Sequence, residues 1–119
     1  MAGAGYNNAQ EGADGERVMM RWLERKGVKL LHAVNPNIRK LRAHKSYKFI
    51  AGIPDGAGKY DEDTFLIECK HTQKCPDFLH ADGTLKKFSH PYYQILGLLE
   101  IFDTEKCWLV CQVAKEVPY

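Results

Sequence analysis

No apolar run in this chain reaches the ~18 residues that a membrane span requires, so no membrane partner is expected. The N-terminus, Met1-Ala2-Gly3-Ala4-Gly5, has neither the basic nor the apolar part of a secretory signal. A soluble, intracellular protein is the expectation, with nucleus and cytoplasm not distinguished. The four cysteines lack the usual zinc-ribbon spacing. Cys69, Cys75, Cys107 and Cys111 are spaced C-x5-C and C-x3-C. In a reducing compartment they read as reduced, buried or neutral thiols, with a metal or iron–sulfur site and disulfides as the alternatives. No internal repeat or low-complexity segment occurs. A large charge excess is also lacking. The 17 basic and 15 acidic residues leave +2, a balance that does not by itself select nucleic acid as partner.

What is present is enough chain for one domain. The 119 residues are 45% hydrophobic and 27% charged, which suits a globular domain with a modest core. Residues 1–13 are rich in Gly, Ala and Asn and read as a flexible lead-in, leaving 14–119 as the domain. Asp14 is placed to cap a helix running to about Lys26 and closed by Gly27. Its apolar arc is Val18, Met19, Trp22 and Leu23, with Glu16 at the edge. Val28 to Val34 reads as a strand and Asn35-Pro36-Asn37 as a turn. Tyr47 to Pro54 reads as a second strand, Gly56 to Asp63 as a hairpin connection, and Thr64 to Lys70 as a third strand. Residues 71–90 read mostly as loop. Pro91 suits a first helical turn, and Ile95, Leu98, Leu99 and Phe102 follow with helical spacing. Cys107 to Val113 is a final strand. The order αβββαβ implies an α/β fold, a mixed central sheet flanked by helices.

Two short strings carry chemistry. Ile53-Pro54-Asp55-Gly56 ends an apolar run in a carboxylate and a turn glycine. Phe65-Leu66-Ile67 is followed by Glu68-Cys69-Lys70. Along a strand Glu68 and Lys70 share one face, while Ile67 and Cys69 share the other. If the two runs pair as a hairpin, Asp55, Glu68 and Lys70 converge at one end of a sheet. Two carboxylates suit a hard divalent ion, and a lysine beside them suits the handling of a water. A second feature is a basic stretch. Arg39, Lys40, Arg42, Lys45 and Lys48, with His44 among them, fall within ten residues that contain no acid. Such a cluster is either a phosphate-contacting surface or a solvated loop.

These strings, in this order, resemble the PD-(D/E)xK nuclease superfamily, and within it the YqaJ-type viral recombinases, lambda exonuclease and viral alkaline nucleases. The resemblance covers most of residues 12–113. Gly12 and Glu16 are similar to the family's glycine and glutamate at the first helix. Pro54-Asp55-Gly56 is similar to its Pro-Asp-Gly turn, and Glu68-Cys69-Lys70 to its Glu-x-Lys strand end. His90-Pro91-Tyr92-Tyr93-Gln94 looks like its Tyr-x-Gln helix start. Two departures stand out. The chain is far shorter than a lambda-type exonuclease, and His71-Thr72-Gln73-Lys74-Cys75-Pro76 intervenes where the family often has Cys-Pro or Ala-Pro.

The resemblance implies a restriction-endonuclease-like core and a Mg2+-dependent (or Mn2+-dependent) deoxyribonuclease. Asp55, Glu68 and the Cys69 backbone carbonyl would hold the metal, with Glu16 a further candidate at the ion or its waters. Lys70 would orient the attacking water, and Gln94 would approach the site. Each has a plain alternative: Asp55 and Glu68 as solvated strand-end acids, Lys70 as the partner of Glu68, Glu16 as a helix-surface acid, and Gln94 as the edge of a buried face. Tyr92 and Tyr93 divide between core packing and DNA contact, and His90 reads as a helix-start residue. The implied activity is 5′-to-3′ exonuclease digestion of duplex DNA in recombination or end processing. A homo-oligomer or a recombination partner protein would keep the enzyme on its strand. The alternatives are a structure-selective endonuclease resembling a junction resolvase, and a non-catalytic DNA-binding module on the same fold.

Overall fold

The computed structural model describes residues 4–40, 42–43, 51–73 and 76–114, with backbone alone over 4–13 and at 51. A 22-residue helix, α1 (Ala4–Arg25), opens the chain. Helix therefore begins well before Asp14, in the segment expected to be a flexible lead-in. Ala4, Ala9 and Ala13 favour the helical state enough to carry Gly5 and Gly12 within it. The helix closes where expected. Gly27 adopts φ +99°, and the Gly27 and Val28 N–H groups reach back to the Glu24 and Leu23 carbonyls.

Six strands follow. They are β1 (Lys29–Leu30), β2 (Arg42–Ala43), β3 (Ala51–Gly52), β4 (Gly56–Tyr60), β5 (Asp63–Thr72) and β6 (Cys107–Val113), with α2 (His90–Ile101) preceding β6. The main sheet has the order β1-β4-β5-β6. Its first three strands are antiparallel neighbours, and β6 runs parallel to β5, as a crossover through α2 requires. Helices and main-sheet strands alone give the anticipated order αβββαβ. The described residues thus form a mixed α/β fold with a four-stranded mixed sheet and two α-helices.

The strands differ from expectation in three places. Only Lys29–Leu30 of the 28–34 run is strand, and Leu31–Ala33 forms a 3-10 turn. That turn lets His32 leave the ladder and receive the Ala57 N–H at Nδ1, 3.2 Å away. Within 47–54, Ala51–Gly52 is strand, but it pairs with Arg42–Ala43 in a separate two-stranded sheet rather than with β5; residues 44–50 lie outside the described residues. The partner of β5 is instead Gly56–Tyr60, the segment read as a hairpin connection. Its glycines serve close packing. A Cβ on Gly58 would sit 2.8 Å from Phe65 and Val28 side-chain atoms. The reversal falls on Asp61, which takes φ +52°.

Strand β5 is central and ten residues long. One face presents Phe65 and Ile67 to Met19, Met20 and Leu23 of α1, with Val28, Val110 and Trp108 completing the cluster. Phe65 and Trp108 stack with ring centroids 3.8 Å apart. The other face presents Leu66 to Ala57 and to Leu98 of α2. Glu68 and Lys70 follow Leu66 on that face, toward α2. Among the described residues no helix is long and apolar enough to cross a membrane.

Candidate active site

Asp55 and Glu68 come together because Asp55 immediately precedes β4, and Gly56 opposes Ile67 in the register. Pro54, fully buried, anchors the chain just before Asp55. The two acids lock each other through the backbone. Asp55 Oδ2 accepts the Cys69 N–H at 2.7 Å, and Glu68 Oε1 accepts the Asp55 N–H at 3.1 Å. Such charge-assisted bonds hold both carboxylates in fixed orientation. Glu68 is only 6% exposed, a rare state for a glutamate. Two residues along the same face, Lys70 Nζ donates to Gln94 Oε1 at 2.6 Å. This bond ties the end of β5 to the first turns of α2. Glu68, Tyr93 and Gln94 line one cleft, together with Ile53 and Gly97.

Electrostatics add Glu16 to the group. Burial, then repulsion from Asp55 and Glu16, pushes the Glu68 carboxyl up to about 7, against the Asp55 N–H and Lys70, which favour its charge. The Glu16 carboxyl is raised too, by burial and then by Asp55, while Arg39 and His32 oppose the shift. Arg39 bridges Glu16 at 2.8 Å. Three acids therefore share a region that either keeps a proton or attracts a cation.

Among the described residues, no thiol joins these acids in a metal-holding group. Cys69 lends only its backbone, since its side chain packs with the α1-side cluster. Burial and the neighbouring acids raise the Cys69 thiol; they push Cys107 up to about 12, and burial pushes Cys111 up to about 11. Those three are free thiols, and Cys75 lies outside the described residues. Among the described residues, no three His, Cys, Asp or Glu side chains form a metal-holding group. An ion would draw on the Asp55–Glu68 pair, backbone oxygen and water, a set that suits magnesium.

The described basic residues disperse. Arg39 turns to Glu16, Arg42 lies over the Phe102 ring at 5.3 Å, and Lys40 is exposed. Lys45 and Lys48 lie outside the described residues. Tyr92 is half-buried, Tyr93 exposed, and His90 exposed at the start of α2. Two residues carry roles that sequence reasoning missed. His32 caps Ala57 across 25 residues, and Phe88 joins Tyr92 and Tyr93. No local pattern signals the first, while Phe88 lies only four residues from Tyr92 in an aromatic-rich stretch. No family model, curated protein or solved structure matches the chain.

Proposed function

We propose that this chain is a metal-dependent DNA nuclease with a restriction-endonuclease-like core, hydrolysing phosphodiester bonds from duplex ends in the 5′-to-3′ direction. The observation that carries the proposal is the mutual lock of Asp55 and Glu68, with Lys70 pinned by Gln94 on the same strand face. The helix–strand order αβββαβ of the main sheet supports the same family resemblance. DNA is the proposed partner, with a homo-oligomer or a recombination protein providing attachment to the strand.

The donor set fits a hard cation, because its members are carboxylate and backbone oxygens. Asp55, Glu68 and the Cys69 carbonyl would hold Mg2+ or Mn2+, with Glu16 toward its waters. When bound, the ion would polarise a phosphate oxygen and assist the leaving oxygen. The protein's own groups do the rest. The Cys69 and Asp55 N–H groups fix the two carboxylates before substrate arrives, so little reorganisation remains for the reaction. Gln94 holds the Lys70 ammonium at the end of β5, where it orients the attacking water and offsets charge gathering on the phosphate. Burial of Glu68 keeps bulk water from screening these interactions.

The test is digestion of end-labelled linear duplex and covalently closed circles, with Mg2+ and with chelator. Shortening of the linear duplex from its ends, only with Mg2+, is expected. Rapid cutting of closed circles would replace the exonuclease with a structure-selective endonuclease. Retention of DNA without any cutting would replace it with a binding module.

A further inference from the structure

We propose that Phe88, Tyr92 and Tyr93 form a stacking platform for unpaired nucleobases of the DNA strand entering the site. The inference rests on the nuclease reading and specifies the form of DNA that reaches Lys70. Two independent observations carry it. The first is an exposed aromatic cluster. Phe88 is 71% exposed and Tyr93 56%, and the three rings lie 5.6–6.2 Å apart at tilted or edge-on angles. Three aromatics gathered at one surface, with two of them open to solvent, are not explained by core packing.

The second observation is backbone strain. Phe88 adopts φ +66°, a left-handed conformation that a bulky side chain rarely takes. The flanking turn holds it there. The Lys86 N–H donates to the Phe78 carbonyl at 2.8 Å, and the Ser89 hydroxyl donates to the Lys86 carbonyl at 2.7 Å. A conformation that costs stability, enforced on both sides to present a phenylalanine to water, points to a ligand for that ring.

The surroundings select the ligand. Lys86 and Lys87, both exposed, immediately precede Phe88 and suit a phosphate backbone, while the rings suit bases. Bases inside a duplex already stack on one another, so an aromatic face gains most from a base that is unpaired. The platform adjoins the candidate site. Tyr93 lines the cleft of Glu68 and Gln94, and Lys70 lines a neighbouring cleft with Ser89, His90 and Pro91. A frayed or tailed end stacked here would lead its backbone toward Lys70.

The test is fluorescence anisotropy with a labelled thymidine oligonucleotide and an abasic oligonucleotide of equal length and charge, in chelator so that nothing is cut. The wild type should bind the thymidine strand about tenfold more tightly or better, within the range that base–aromatic stacking carries. Phe88→Gly and Tyr93→Ala should each reduce that preference severalfold and leave abasic binding unchanged. Phe88→Tyr should retain it. Phe88→Gly should melt at the same temperature or higher, because glycine accepts the left-handed φ; a lowered melting temperature would assign Phe88 to packing and overturn its part in the platform. Equal binding of the two oligonucleotides by the wild type, or an undiminished preference in both variants, would also overturn the proposal. Duplex cleavage measured in parallel with Mg2+ reports separately on the nuclease reading.

Discussion

Glu68→Gln should make the metal-free protein more stable at pH 8 while removing the proposed nuclease activity. The carboxyl is raised from the ordinary 4.5 to about 7 by burial and by Asp55. A folded-state value above the unfolded one means that the native state holds the proton more tightly. The contribution of Glu68 to stability is therefore greatest below 4.5, falls as pH rises from there to 7, and is flat above. At about 1.4 kcal/mol for each tenfold change in proton affinity the ceiling is about 3 kcal/mol. Residual screening by water lowers this to about 1–2 kcal/mol. Glutamine keeps an oxygen for the Asp55 N–H and carries no charge, so it imitates the protonated acid. Urea denaturation in chelator at pH 8 and at pH 4.5 measures the difference. A gain of about 1–2 kcal/mol at pH 8 that vanishes at pH 4.5 is expected. A variant less stable than wild type at pH 8 would refute the view that Glu68 is a charged group held at a cost in stability.

Lys70→Met should leave calorimetric Mn2+ binding near normal and lower the cleavage rate by about 10²-fold or more, because it removes the ammonium that Gln94 positions and neither proposed carboxylate ligand. Combined replacement of Arg39, Lys40 and Arg42 by Ala should lower the log–log salt slope of duplex binding by less than about 0.9 per residue, since Arg39 is already engaged by Glu16; an unchanged slope means the stretch faces away from DNA. Gly56→Ala should lower stability by about 1–3 kcal/mol, because its Cβ would come within 2.5 Å of the His32 ring and press on the Ala57 cap. Chemical denaturation measures the loss, and a neutral result would remove the steric reason for glycine there.

Much of the fold was legible where local signals are strong. Strand β6 has the bounds read from its apolar run, and α2 follows from Pro91 and the spacing of Leu98 with its neighbours. The convergence of Asp55, Glu68 and Lys70 was legible from strand alternation, but through the wrong partner. Gly56-Ala57-Gly58 has poor strand propensity, so the segment that pairs with β5 looked like a turn. Its composition instead reports close approach to His32, Val28 and Phe65. The N-terminal helix was hidden by glycines that its alanines outweigh. The Glu16–Arg39 and His32–Ala57 contacts join residues 23 and 25 positions apart, and no short-range pattern encodes them. Nor does residue type reveal that Phe88 takes a positive φ, since the surrounding turn imposes it.

The decisive measurement is the cleavage rate of end-labelled linear duplex by wild type and by Asp55→Asn, each with Mg2+ and with chelator. Asparagine retains an oxygen that can accept the Cys69 N–H but loses the charge that a hard cation needs. The wild type should cut only with Mg2+, and the variant, folded by circular dichroism, should not cut in either condition. Cleavage by wild type that survives chelation, or a near-normal rate for Asp55→Asn, would contradict the assignment of Asp55 and Glu68 as the metal-binding heart of a nuclease.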